Sequence, residues 1–496
     1  MGDLARHLAQ WGTRNGDRLM GTHYDCDVLV IGSGAGGAPT AAVLAESGLD
    51  VLVVEEGPWV EQGEVVPFSL DQMDRQYRSG GLTVALGRPS IAYTEGRCAG
   101  GGTEVNSGLY RRPSEQTLDR WRRGWRIADF ETDRFMSLCD EVETALSVQT
   151  VPGRHTPASE RLRSGAAALG WQHDEIPRWM SYPDDGDATE GQRQSMTRTY
   201  LPRARRAGAT IVTDTRVDRL IIDRGHAFRA ELTDANGEPA TVDFGHVIVC
   251  AGAIHSPALL QRSGLRGLIG RRLAVHPTVK LAARFDEAVN VGDDVPVHQV
   301  KEFAPELSFG GSASHPGLVA LALTDAWPTM RDAVTAWPEI AVYYAAITSE
   351  GRGRVQALPG FRDPLVTYRL TRRDRAVLGR GLARLTQVML AAGAREVYPS
   401  FRHAPIVRDR SDLATLANRF SADAASVMTV HLCSTVPMGD DTSVAAADSH
   451  GKIHGTSNVY VNDASLLPDA PGVNPQASVM AVALRNARRF VEEVDA

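Results

Sequence analysis

The chain has 496 residues, of which 43% are hydrophobic and 23% charged, and a formal net charge of −7. That length is too great for one compact core and predicts two domains, while the composition excludes disordered and fibrous classes. Almost all the positive charge is arginine, with lysine only at Lys280, Lys301 and Lys452, a bias read as coding preference, and no apolar run approaches the roughly 18 residues that a membrane helix needs.

The opening MGDLARHLAQWGTRNGDRL carries charges throughout and no apolar signal-peptide core, which predicts a cytoplasmic protein. The first patterned stretch, DVLVIGSGAGGAPTAAVLAESGLDVLVVEEG, predicts strand, tight loop, helix and strand. Val28 to Ile31 is a continuous apolar run, Ala38 to Ser47 has helical spacing, and Gly48 stops the helix. In the loop, Gly32 permits a sharp turn, Gly34 lets backbone approach a pyrophosphate, and Gly37 lets the helix pack on the strand with its N-terminal amides facing the anion. The second strand, Val51 to Val54, delivers Glu55 where it can grip a ribose hydroxyl pair, and an acid there disfavours the 2′-phosphate of NADP. Glu56 competes for that place, but Glu55 is the first residue beyond the strand. NAD and FAD share an ADP half, so this loop leaves both open.

Further along, EGRCAGGGTEVNSGLYRR places Gly100, Gly101, Gly102 and Thr103 just before Asn106, and such a run lets backbone meet a flat ring or a phosphate where a Cβ would collide. Arg203, Arg205 and Arg206 form a short basic cluster without interleaved aromatics, which fits a solvated helix face and not a nucleic-acid patch. VIVCAGAI predicts a buried strand, EIAVYYAAI and PLVTYRL predict strands, and RDRAVLGRGLARLTQVMLAAG predicts an amphipathic helix closed by glycine. Cys26, Cys98, Cys139, Cys250 and Cys433 are scattered and never in a CxxC arrangement, which argues against a disulfide framework or a zinc site. Asp440, Asp441 and Asp448 fall among turn residues and are expected to be solvated loop acids, so no metal centre is expected. Asn474 stands before Pro475, which disfavours the α region at Asn474 and suits the first turn of a helix over Gln476 to Val491, making Asn474 a good N-cap.

Together these blocks resemble the glucose-methanol-choline (GMC) oxidoreductases, flavoproteins that oxidise alcohols. GSGAGG with Glu55 resembles their N-terminal FAD motif, and GGGTEVN their second motif, which lies along the flavin. GAIHSPALLQRSGL followed by IGRRLAVHP resembles the internal signature, with Arg266 where a small residue is common. HLCSTVPMG through VYVNDASLLPDAPGVNPQAS resembles the C-terminal active-site segment, with Ser434 at a position often held by glycine. The resemblance selects FAD over NAD. It also implies that Val217, in ATIVTDTRVDRL, brackets the adenine through its backbone and that Asp463 lies near the ribityl-pyrophosphate chain. Members that attach flavin covalently through this motif have a histidine before the asparagine; Val105 stands there, which implies non-covalent FAD. By the same resemblance His431 is the general base, suited to the task because an unperturbed imidazole titrates near a pKa of about 6.5, and Asn474 binds the substrate oxygen beside it. The helix beginning at Pro475 would then point its positive end at the flavin N1 and C2 carbonyl. His276 resembles a structural HP turn and His255 follows a strand end, so neither is the expected base.

The implied fold is α/β (α+β overall): a Rossmann-like FAD-binding domain from residues 22–110, 195–282 and 428–496, and a substrate-binding domain from 111–194 and 283–427 with an antiparallel sheet backed by helices. The expected reaction is oxidation of an alcohol to a carbonyl by hydride transfer to flavin N5, with reoxidation by oxygen or a separate acceptor because no second GxGxxG unit exists. The acidic balance points to a polar sugar-like or amino-sugar substrate in bacterial metabolism or natural-product biosynthesis. An aldehyde product forms a hydrate that is again an alcohol, so the same site can continue to the acid. Sterol or long-chain alcohols are the alternative within the family, and a hydroxynitrile-type lyase that keeps FAD for structure is the alternative of another class. Neither nucleic acid nor membrane is an expected partner.

Overall fold

The apolar run at Val28 to Ile31 is the inner end of a strand, His23–Ile31, that lies between two parallel neighbours, Pro239–Val249 and Val51–Val54. A strand in that position is covered on both faces, which is why its residues are apolar without alternation. The computed structural model describes residues 22–291 and 295–494, so the opening stretch considered above for a signal segment lies outside the described residues. Among the described residues no helix is long and apolar enough to cross a membrane.

Thr210–Val212 and Val459–Val461 extend this sheet in parallel, and Arg216–Asp223, His226–Thr233 and Pro239–Val249 continue it as an antiparallel meander. Alternate residues of the central strand feed two cores. Val28 and Val30 pack with Ala41, Leu44, Leu201 and Met480, contributed by helices Gly37–Glu46, Tyr200–Arg206 and Gln476–Val494. Leu29 and Ile31 pack with Trp121, Phe130, Phe135 and Val482.

A second sheet of nine strands runs in the order Thr83–Ala85, Ile91–Tyr93, Val427–Thr429, Thr278–Arg284, Ile340–Ile347, Leu307–Ser312, His298–Val300 and His173–Glu175, with Glu396–Pro399 also paired to Thr278–Arg284. Its pairings are antiparallel except that of Val427–Thr429 with Ile91–Tyr93. Helix Arg372–Ala391 covers one face, and Leu281, Tyr343 and Ala345 pack there with Leu378, Leu382 and Leu385. The opposite face behaves differently. Thr278, Lys280, Tyr344, Ala346, Ser308 and Ser312 lie there, each partly accessible and alternating with fully buried neighbours, so the polar residues of this sheet gather on that face.

The expected segment boundaries do not follow these two layers everywhere. Thr83–Ala85 and Ile91–Tyr93, placed with the nucleotide segments, pair in the nine-stranded sheet, as does Thr278–Arg284. Helices Glu115–Trp125 and Thr132–Ala145, placed with the substrate segments, supply Trp121 and Phe135 to the core under His23–Ile31. Their large aromatics need an apolar surface, and the flank of the first sheet provides it. PLVTYRL is a strand, Leu365–Arg369, but it pairs with Arg352–Gln356 as a separate hairpin.

Asp374 ties that hairpin to the long helix. It is 2% exposed and accepts hydrogen bonds from Thr371 N, Glu350 N, Gly351 N and Ser349 Oγ. Asp374→Ala removes the acceptor these four donors share, leaving Gly351 N only its second bond to Ser349 Oγ, and is expected to cost about 3 kcal/mol or more, measured by chemical denaturation; a loss below about 1 kcal/mol would show that the network is not needed.

Candidate active site

Between the two sheets lies an open cleft. It is lined by Gly32 to Gly36, Glu55, Gly101, Gly102, Val217, Gly252, Asp463, Pro475 and Gln476, which brings together motifs separated by hundreds of residues. The loop glycines have distinct reasons. Gly32 has φ +99 and a Cβ there would lie 2.5 Å from Cys250 O; at Gly37 it would lie 1.9 Å from Gly32 O, so the helix can start only as a glycine. Gly36 was not singled out in the sequence, yet its Cβ would fall 2.0 Å from Asn462 O. At Gly34 and Gly102 the nearest atoms are 3.9 and 4.0 Å away, so these two open onto the cleft itself.

Glu55 ends its strand at the cleft, nearly buried, and accepts from Ser33 N at 3.0 Å, Ser33 Oγ at 2.7 Å and Gly57 N at 2.9 Å. Burial raises its pKa against the pull of those donors. Ser33 also receives Gly100 N at 3.1 Å, so one hydroxyl joins the loop, the acid and the second glycine block. Glu56 is committed elsewhere: Arg78 and Arg362 donate to it at 2.6 and 2.7 Å and hold it well below the usual carboxylate range despite its burial. Asp463 accepts from Gly252 N, Ser256 Oγ, Ser465 N and Ser465 Oγ, pinning the start of helix Gly252–Arg262 to the strand before it. Burial is also what raises the Asp463 pKa.

Of Gly100 to Asn106, only Gly101 and Gly102 reach the cleft lining. Gly100 and Gly101 have φ +85 and +53, and the chain then turns into a short helix, Gly102–Val105. Thr103 is fully buried; its hydroxyl donates to Gly100 O at 2.7 Å and accepts from Met196 N at 3.2 Å. Asn106 Oδ1 accepts from Gly108 N at 2.9 Å and from Arg193 at 3.0 Å. Both side chains shape the turn and do not line the cleft.

His431 is held between Val430 and Leu432, both of which line the cleft. Sheet register brings it to His276: Val275 pairs with Leu432, Thr278 pairs with Met428, and the two histidines lie between these pairings with Nδ1 atoms 3.0 Å apart. Gly472 N donates to His276 Nε2 at 3.0 Å, and Asn474 Nδ2 lies 3.4 Å from His431 Nε2. His276, set aside in the sequence as a turn residue, is thus the immediate partner of His431. Asn474 turns its amide to the imidazole; among the described residues that is its one side-chain hydrogen bond, and the capping use is not realised.

A backbone N–H can only donate, so Gly472 fixes the lone pair of His276 on Nε2 and its proton on Nδ1. That proton is shared with His431 Nδ1, and a neutral His431 then carries its own proton on Nε2, toward Asn474. A half-turn of the Asn474 amide offers its oxygen as the acceptor. Burial, and then Lys301, push the His431 pKa down to about 4; burial, His431 and Lys301 depress His276 likewise.

The residues fit a flavin dinucleotide on these observations: two glycines face open space, a strand-end acid lies beside the loop, and Gln476 Oε1 is buried on the lining without a partner. Gly34→Ala is expected to change the unfolding free energy of the apoprotein by less than about 1 kcal/mol while weakening FAD retention, whereas Gly36→Ala should cost at least about 2 kcal/mol. Equal destabilisation by the two would contradict this division of labour.

Models described as GMC oxidoreductase match residues 73–278 and 349–483, and one described as FAD binding domain matches residues 27–63. An uncharacterized GMC-type oxidoreductase, y4nJ of Sinorhizobium fredii, is 40% identical over 474 residues, covering 93% of this chain and 94% of that protein. Long-chain-alcohol oxidase FAO4B of Arabidopsis thaliana is 26% identical over 519 residues, covering 95% of this chain and 68% of that protein. Among solved structures, pyridoxine 4-oxidase from Mesorbium loti superposes with a TM-score of 0.71 at 20% identity, covering 94% of this chain and 99% of that one.

Proposed function

The chain belongs to the GMC oxidoreductase family and is an FAD-dependent alcohol oxidoreductase, and from that premise we propose that His431 and Asn474 receive the substrate hydroxyl. The observation that supports this most is their convergence, 3.4 Å apart, at the edge of the cleft that the nucleotide motifs line. FAD, when bound, supplies the hydride acceptor. Asn474 fixes the oxygen, and His431 Nε2 takes its proton, leaving a carbonyl. To accept there, the two rings exchange tautomers: His431 Nε2 gives its proton to solvent, the shared proton moves from His276 Nδ1 onto His431 Nδ1, and His276 Nε2 takes a proton from solvent as Gly472 N–H is released.

The depressed pKa bears on the timing. Burial and Lys301 make His431 a weak base, so full transfer of a hydroxyl proton to it ahead of C–H cleavage is strongly uphill, and in this reading the proton leaves as the hydride departs.

The substrate is a polar alcohol on this reading, since Lys301 lies near enough to His431 to depress its pKa and the paired strands beside Lys301 carry Lys280, Tyr344 and Ser312. That composition does not favour a sterol or an unadorned long chain, and the lysines disfavour an ammonium-bearing sugar. FAD is held without a covalent bond through the second motif, where Val105 is buried and offers no nucleophile. Oxygen or a separate carrier reoxidises it.

Anaerobic mixing of the holoenzyme with polyols should bleach the flavin, and His431→Ala should slow bleaching by about 100-fold or more while FAD stays bound. Alcohol turnover without bleaching would indicate a lyase instead. Acid precipitation is expected to leave a colourless pellet and a yellow supernatant; a yellow pellet contradicts non-covalent binding.

A further inference from the structure

The half-accessible face of the nine-stranded sheet carries a polar row. Register sets Asp174, Gln299, Gly310, Tyr344 and Lys280 side by side across five strands. Lys301 directly follows the strand His298–Val300, Thr278 shares the side of Lys280, and His276 lies two residues before Thr278. The row therefore runs up to the imidazole pair, and Lys301 is near enough to both rings to lower their pKa. Gly310 makes room for it: a Cβ there would lie 2.4 Å from the Tyr344 hydroxyl, and without one the ring crosses the strand to receive Gln299 Nε2 at 3.2 Å.

The charge on this row is unbalanced. Arg111 and Asp174 pair at 2.6 Å, so the acid is matched. Lys280 Nζ donates to Ser312 Oγ at 3.2 Å, and among the described residues neither Lys280 nor Lys301 forms an ion pair. Burial presses both amines down to about 8, with Arg111 adding to the pressure on Lys301 and Asp174, itself paired with Arg111, opposing it. Two of the chain's three lysines thus stand unpaired in the interior of a protein of net charge −7. Beside them Gln299 Oε1 and Asp174 Oδ1 are buried acceptors without a hydrogen bond. A buried cation without an anion is costly, and unmet acceptors add to the cost, so the row is complementary to something it lacks.

We propose that this row is a carboxylate-binding subsite and that the substrate is a polyhydroxylated acid, its carboxylate held by Lys280 and Lys301 and its reacting hydroxyl at His431 and Asn474. The proposal rests on the assignment of His431 and Asn474 as the reacting end. The amines are point-charge donors, joined by a tyrosine hydroxyl, which suits a carboxylate. Gln299 Oε1 and Asp174 Oδ1 accept from hydroxyls along the substrate. A carboxylate there also neutralises the field that weakens His431 as a base, so the right substrate strengthens the group that deprotonates it.

The test uses paired probes on the holoenzyme: gluconate against glucitol, and ω-hydroxyhexanoate against hexanediol, followed by anaerobic flavin reduction. The acid of a pair should be preferred in kcat/KM by at least about tenfold, a preference that drops by about fivefold or more in Lys301→Met and Lys280→Met and is retained in Lys301→Arg. Equal use of acid and neutral alcohol, or a preference that survives both methionine variants, overturns the proposal. If no member of either pair bleaches the flavin, the assignment of His431 is what fails, and hexanoate, which cannot be oxidised, decides the subsite alone. A saturable change in flavin absorbance with hexanoate that is lost in Lys301→Met upholds the subsite; no change overturns it.

Discussion

Two imidazoles with 3.0 Å between their Nδ1 atoms govern the chemistry available to this cleft. One proton fits between them, and Gly472 N–H dictates which ring owns it. Protonating either ring adds a second positive charge to a buried pair already facing Lys301, so both resist it. In the proposed role the outcome is a base that resists protonation and is weak, suited to a step in which proton and hydride leave together. Substrate charge enters the same balance, because an anion against Lys301 relieves the repulsion that weakens His431. Binding and proton abstraction are thereby coupled through one electrostatic term.

The pair exists because of strand register and not because of any local motif. His276 leads into Thr278–Arg284 and His431 follows Val427–Thr429; Thr278 Oγ1 donates to Met428 O at 2.9 Å, locking the two strand ends. A slip of one residue in either strand would turn one ring to the opposite face. The third element, the loop from Gly472 to Pro475, is carried by helix Gln476–Val494, whose apolar side packs on the first sheet. The site therefore needs both sheets: the first supports the loop that positions Asn474, and the second aligns the histidines.

Much of the first sheet could be read from the residues alone. The strand at Val51–Val54 and the helix ending before Gly48, φ +92, fall where the pattern put them, because short-range rules of turn and helix geometry decide them. Ser434, noted where glycine is common, has φ +68, the conformation glycine prefers. Thr103 and Asn106 brace the turn that carries Gly101 and Gly102 to the cleft, a role the motif alone does not reveal because it marks a neighbourhood and not the direction of each side chain. His276 as a partner of His431, Gly36 under Asn462, and the polar row from Asp174 to Lys280 were illegible for one reason. Each is created by pairing between residues far apart in the chain, where neither periodicity nor spacing carries information. The lysines show this best: scarcity was visible in composition, but their shared location was not.

The most direct measurement is the pH dependence of the anaerobic flavin-reduction rate constant with a polar alcohol. Neutral His431 is the active form, so the rate is retained above its pKa and lost as pH falls through about 4, leaving the profile flat across the range where free imidazole titrates. An acid limb centred near a pKa of about 6.5, the value of an unperturbed histidine, would show that the ring is neither buried nor coupled in the working enzyme and would contradict the account.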